Sequence, residues 1–227
     1  MRMPLALRRV VERPDVTILH RFRPPPYGGS NQFLLALKGE LERRGLRVSS
    51  SAIARRTRAC LVHAWLVDVP ALRAQLHPEC RVVHRVDGPV ALYRGRDDGS
   101  DDRVAEVNRA LAEVTIFQSR FSLEAHRRLG YELRNPFVIP NAVDPALFHP
   151  AERKAPGRRL RLIATSWSDN PKKGGETLAT LARTLDPALY ELTFVGRTPV
   201  DLGPARVVPP VGSEQVAELL RGHDVYL

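Results

Sequence analysis

Short β-rich apolar runs alternate with amphipathic stretches along nearly the whole chain, and this alternation leaves few folds open. Val16–Leu19 runs into the turn-forming Arg23-Pro24-Pro25-Pro26-Tyr27-Gly28-Gly29. A repeat with Phe33, Leu34, Leu37 and Leu41 on one face follows and ends at Gly45. A strand, a turn, a helix and a closing glycine are predicted. Residues 46–49 and Ala59–His63 predict two more strands, 69–76 a short helix, and Arg81–Val86 a fourth strand. A polar loop over 88–102 leads into a helix bearing Val104, Val107 and Leu111. The strand 114–118, the helix 122–129 ended by Gly130, and the strand 136–139 complete the series. Six strands with helices between them predict a doubly wound parallel sheet, hence an α/β fold.

Residues 145–159 are rich in proline and charge and lack apolar periodicity, which marks a linker. A second series follows: a strand over 160–165, a helix over 174–185, strands over 190–195 and Arg206–Val208, a helix over 214–220 and a strand from Val225. The expected organisation is a first Rossmann-like domain over 1–150, a linker over 151–159 and a second domain over 160–227. A parallel strand at 225–227 needs covering helices and neighbours, so the second domain is expected to be incomplete, with an edge strand of a small domain as the alternative.

Composition narrows the partners. The 227 residues suffice for a core without staples, and the two cysteines, Cys60 and Cys80, match no zinc or disulfide spacing, so reduced core thiols are expected. No apolar stretch approaches the ~20 residues of a membrane span, and Met1–Val11 lacks the apolar core of a secretory signal. A cytoplasmic protein is expected. The net charge is +10, and 31 of the 35 basic residues are arginines spread from Arg2 to Arg221 with only 6% aromatics. That dispersion argues against a nucleic-acid interface. A diffuse positive field suits phosphorylated ligands or peripheral contact with an anionic membrane face.

Three segments carry chemistry. Gly28-Gly29-Ser30 lies between the first strand and helix, where glycines admit a phosphate to free helix amides; an ordinary βα turn has the same composition. The spacing is neither G-x-G-x-x-G nor a P-loop. His84-Arg85-Val86-Asp87-Gly88-Pro89 closes the fourth strand, where an open α/β sheet presents side chains to its ligand. His84 and Asp87 are the candidate catalytic residues there; the alternative is a core histidine and a turn-capping aspartate. Ser166-Trp167-Ser168-Asp169-Asn170-Pro171-Lys172-Lys173-Gly174 joins a strand to a helix N-terminus and holds two of the chain's four lysines. Lys172 and Lys173 are the candidate donor-phosphate ligands, against the alternative of solvated loop lysines.

The order of these segments, with Gln118-Ser119, Ile139-Pro140-Asn141-Ala142-Val143-Asp144, Phe148 and Pro150, resembles the GT-B glycosyltransferases of family 4. The most specific piece is Ile-Pro-Asn-x-Val-Asp with its following Phe-x-Pro. The resemblance implies two facing Rossmann-like domains, a nucleotide-sugar donor, a glycan or lipid-linked acceptor, and metal-independent transfer with retention, with no cofactor. It also implies that Gly28 and Gly29 approach the donor phosphate together with Lys172 and Lys173. Three departures accompany it. Ser168 stands where the family has an arginine five residues before its lysine, and Val86 stands where its His-Asp pair has histidine. The family's paired glutamates are expected beyond Leu227. Two readings follow: a glycosyltransferase whose chain continues past Leu227, or a non-catalytic, nucleotide-binding remnant of the same fold.

Overall fold

The computed structural model describes residues 13–150, 157–168 and 170–227. The readings of Met1–Val11, of the linker over 151–156 and of Asp169 lie outside the described residues. The chain divides into two compact units. One joins the residues up to Phe22 with Phe33–Asn141, and the other joins Arg23–Gln32 with Ala142–Leu227.

The first unit is built on a six-stranded parallel sheet: β1 (Val16–Leu19), β2 (Val48–Ser49), β3 (Ala59–His63), β4 (Arg81–Val86), β5 (Val114–Phe117) and β6 (Pro136–Val138). Their spatial order is β2-β1-β3-β4-β5-β6. Helices α1 (Gly29–Arg43), α2 (Val69–Gln75), α3 (Val90–Arg94), α4 (Ser100–Leu111) and α5 (Arg120–Arg128) connect them. One core layer packs Cys60, Val62 and Val82 against Leu72, Val107 and Leu111; another joins Val86 and Phe117 to Val104. Both cysteines are free and buried, and burial pushes the Cys60 thiol up to about 12.

The sequence reading is corrected at 88–102, predicted as one polar loop, where the structure places α3 and the first turn of α4. The carboxylate of Asp101 accepts from the amides of Val90 (2.7 Å) and Ala91 (3.0 Å), satisfying two of the orphan donors of α3 from the next helix. That cap comes from ten residues downstream, so no local pattern announces it.

The second unit carries a four-stranded parallel sheet of β7 (Leu160–Trp167), β8 (Tyr190–Arg197), β9 (Arg206–Val208) and β10 (Val225–Tyr226), in the order β10-β7-β8-β9. Helices α6 (Gly175–Thr184) and α7 (Ser213–Arg221) complete it, and Ala164, Phe194, Ala179 and Leu202 form one cluster of its core. Gly196 near the end of β8 has φ +134°, and a Cβ there would lie 1.7 Å from the Ser166 carbonyl oxygen. Only glycine allows the two strands to run this close.

In each sheet the strand order reverses beside the first strand of the series: between β1 and β3 in the first, and at β7, flanked by β8 and β10, in the second. Ligands of open α/β sheets bind outside the carboxyl ends of the strands at such reversals. Among the described residues no helix is long and apolar enough to cross a membrane.

Candidate functional site

At the carboxyl edge of the first sheet the organising residue is Arg85, only 3% exposed although charged. Burying a guanidinium is tolerable only with its donors used. Here Nη1 donates to Asp87 Oδ1 (3.0 Å), and Nη2 donates to Gln118 Oε1 (3.3 Å) and Asn141 Oδ1 (3.1 Å). The guanidinium carbon lies 4.1 Å from the ring centroid of Phe33 on α1, a cation–π contact that shields it further. Asn141 Nδ2 donates to Gln118 Oε1 (2.7 Å), locking the two amides together.

His63, the last residue of β3, completes the cluster. Its Nε2 lies 3.2 Å from Asp87 Oδ2, to which it donates when protonated there, and 3.0 Å from Arg85 Nη1, from which it accepts when it is not. Burial pushes the Asp87 carboxyl up, but the hydrogen bond and charge of His63 and the Arg85 guanidinium outweigh this and hold it below the usual carboxylate range. Asp87 is thus an ionised acceptor whose side chain remains 35% exposed. Its backbone carbonyl accepts from Ser122 Oγ (2.8 Å), which fixes the loop. The space behind it, against Trp65, Val90 and Tyr93, measures about 20 Å³, room for one water.

His84, the other candidate at this edge, is not brought to the cluster. Successive side chains alternate along β4, and His84 is 1% exposed, with Nε2 donating to the Ala64 carbonyl (2.7 Å) and Nδ1 accepting from Asn108 Nδ2 (3.0 Å). Asn108 also donates to Thr115 Oγ1 (2.7 Å) and accepts from the Arg134 amide (2.8 Å). Burial pushes the imidazole down to about 4, against the pull of the Ala64 hydrogen bond. A neutral histidine with both nitrogens engaged ties β4 to Ala64, whose φ of +53° turns the chain directly after His63. Sequence reasoning missed His63 and the role of Arg85, because their partners lie 22, 33 and 56 residues away in sequence. The one available signal was the ionisable Arg85 inside an apolar strand.

In the second unit the loop after β7 is a self-contained scaffold. The Ser168 amide donates to Ser166 Oγ (3.3 Å), the Asn170 amide to Ser168 Oγ (3.1 Å), and the Lys172 amide to Asn170 Oδ1 (3.0 Å). A 3-10 turn over Pro171–Lys173 follows, closed by the Lys173 amide on the Asn170 carbonyl (2.9 Å). Both lysines are exposed. Gly174 (φ +78°) is the N-cap of α6 and supplies no side-chain cap, and the two lysines immediately precede it in the chain. A Cβ on Gly175 would meet Val200 Cγ2 at 3.1 Å, so this glycine permits the helix start to pack closely. Arg197, in register with Trp167 and 5.7 Å from its ring centroid, adds a third cation to the edge and was not singled out in the sequence.

Gly28 and Gly29 group with this second unit. Gly28 has φ +46°, and a Cβ on it would lie 3.4 Å from Trp167 Nε1; nothing lies within 4 Å of one on Gly29. The Tyr27 and Trp167 rings are 5.7 Å apart. Asn31 fixes the segment, accepting from the Arg23 amide (3.0 Å) and donating to the Arg23 carbonyl (2.9 Å). The structure therefore groups Gly28, Gly29, Lys172 and Lys173 in one unit and places Asp87 and His84 in the other. Among the described residues no group of three or more His, Cys, Asp or Glu side chains is placed to hold a metal ion.

The chain is similar to sucrose-phosphate synthase from Thermosynechococcus elongatus, with a TM-score of 0.71 at 14% identity, covering 94% of this chain and 75% of that one. The likeness is one of fold. The protein has a GT-B, glycosyltransferase-like fold of Rossmann-like parallel sheets. A Glycosylation Associate Protein complex from Streptococcus agalactiae also matches, with a TM-score of 0.37 at 13% identity, covering 74% of this chain and 37% of that one. No protein-family model matches the sequence, and no curated protein does.

Proposed function

We propose that the protein is a family-4-like glycosyltransferase that moves a sugar from a nucleotide-sugar to a hydroxyl of a glycan or lipid-linked acceptor, with retention at the anomeric carbon. The observation that carries this reading is the loop after β7. Lys172, Lys173 and the N-terminus of α6, whose N-cap Gly174 supplies no side chain, follow β7, the strand at which the order of the second sheet reverses.

In the reaction the bond from the anomeric carbon to the diphosphate oxygen breaks with its electron pair staying on phosphate. A bond from the acceptor oxygen to that carbon forms, and the acceptor proton is released. Negative charge grows on the leaving diphosphate, so a fixed cation beside it stabilises the transition state more than the ground state. Lys173, helped by Lys172 and the α6 amides, takes that role, and Gly28 and Gly29 leave room for the phosphate. Asp87, held ionised by His63 and Arg85, accepts from a sugar hydroxyl. His84 acts only through Ala64, as a positioning residue.

The test is binding and transfer with a panel of nucleotide-sugars. Lys173→Ala is expected to lower kcat/KM by about 10²–10³, the range for losing one preorganised stabilising group. Full activity in that variant removes the phosphate role. Nucleotide binding without transfer leaves the non-catalytic module, and absence of nucleotide-sugar binding removes the reading altogether.

A further inference from the structure

A second cluster of cations lies at the opposite edge of the first sheet. Arg55, Arg56 and Arg58 immediately precede β3, whose five residues separate them by roughly 16 Å from the His63–Asp87 edge. They line a pocket of about 230 Å³ together with His77 and Glu79, from the segment leading into β4, and Asp15, which precedes β1.

The arginines are held on a fixed turn. The buried Thr57 hydroxyl donates to the Pro14 carbonyl (3.1 Å) and accepts from the Ala54 amide (2.9 Å). The Thr57 and Arg58 amides donate to the Ala54 and Asp15 carbonyls, each at 2.8 Å. Arg43, Arg44, Arg47, Arg81 and Arg161 all pair with carboxylates, whereas among the described residues Arg55, Arg56 and Arg58 form no salt bridge. Asp15 hydrogen-bonds none of them: its two oxygens accept from the Arg47 guanidinium (3.0 and 3.1 Å) and one also from the Arg47 amide, and it acts on Arg56 only through its charge. Glu79 is the other carboxylate in the lining, one negative charge against three positive.

His77 supplies an independent sign. Its Nε2 is buried and finds no hydrogen-bond partner among the described residues. A buried polar atom left unpaired is costly, and because His77 lines the pocket, a turn of its ring would bring that nitrogen to a ligand oxygen there.

We propose that this pocket is a phosphomonoester-binding site, with Arg55, Arg56 and Arg58 gripping the phosphate oxygens and His77 Nε2 bonding the phosphate or the group that bears it. Guanidinium forks match the geometry of a dianionic phosphate. The volume falls below the ~300 Å³ at which drug-sized pockets begin, so it fits a phosphate on a small polar body. The site is separate from the lysine loop and does not rest on the glycosyltransferase reading.

The experiment titrates the full chain with glycerol 3-phosphate and inorganic phosphate, reading heat and the imidazole resonances of ¹⁵N-histidine-labelled protein. Arg55→Ala/Arg58→Ala is expected to weaken binding at least tenfold. The charge-matched Arg43→Ala/Arg44→Ala control and Lys173→Ala are expected to change it less than twofold. The His77 resonance should shift on saturation of the wild type, a readout independent of any variant's folding. Vesicles of phosphatidylcholine carrying phosphatidic acid separate the sources. Capture that the double variant loses assigns the phosphate to a lipid headgroup, and binding of the soluble ester alone assigns it to a metabolite. Equal loss in the charge-matched control, loss in Lys173→Ala only, an unmoved His77 resonance, or preference for an oligonucleotide would overturn the proposal.

Discussion

The carboxyl edges of the two sheets hold their charged groups in opposite ways. In the first, a buried arginine gathers His63, Asp87, Gln118 and Asn141 from four separate chain segments and is roofed by Phe33. In the second, Lys172 and Lys173 stand exposed on a turn whose hydrogen bonds come from residues two or three positions away. The first edge fixes a carboxylate through long-range packing; the second carries its cations on a turn braced by serine and asparagine side chains of near neighbours. Substitutions at the first should therefore propagate through the sheet, and substitutions of the second edge's lysines should change charge and leave the fold intact.

The largest expected effect breaks the tightest packing at the second edge. Gly196→Ala forces a Cβ into the Ser166 carbonyl at 1.7 Å on a backbone of φ +134°, and should destabilise the second unit by about 4 kcal/mol or more. Hydrogen exchange would show protection lost in Tyr190–Arg197 and Leu160–Trp167, whereas retained protection there would mean that the strands separate at little cost.

Next is the hub itself. Arg85→Leu leaves Asp87, Gln118 and Asn141 without their shared donor, and should cost about 3–4 kcal/mol in urea unfolding. Lys173→Ala should cost under 0.5 kcal/mol in the same assay, as an exposed substitution away from packing. Similar losses in the two variants would erase the contrast between the edges.

These two edges were unequally legible in the sequence. The turn at 166–174 was readable because Ser, Asn, Pro, Lys and Gly each declare a local role there. The strands were readable as well, since β-rich runs bounded by Gly and Pro keep their meaning wherever they pair. The Arg85 hub was not, because Arg85 and His84 sit side by side and only the pleat decides which one faces the ligand edge. Asp87 could be singled out as a candidate because it follows the strand's end, where the alternation no longer hides it. The strand-order reversals that single out His63 and Trp167 depend on which strands become neighbours, which no local pattern records.

A pH-dependent effect concerns that pleat. His84 is neutral and its proton affinity is lowered from 6.5 to about 4 in the folded chain, so between those values the unfolded chain binds a proton that the folded chain refuses. Its effect on stability is therefore nil above pH 6.5 and grows as pH falls, reaching about 3 kcal/mol of destabilisation near pH 4. His84→Gln keeps a donor for Ala64 and an acceptor for Asn108 without titrating. Urea midpoints of that variant should lose the slope across this window; an unchanged slope would place the titration elsewhere.

Diphosphate binding at the loop after β7 is read from its amide resonances under titration with nucleoside diphosphates and nucleotide-sugars. The amides of Lys172, Lys173, Gly174 and Gly175 should shift together and saturate, and Lys173→Ala should weaken this binding about tenfold or more, as expected for losing a charge-assisted contact. Shifts that leave these four amides unmoved while others saturate, or an affinity indifferent to Lys173→Ala, would contradict it.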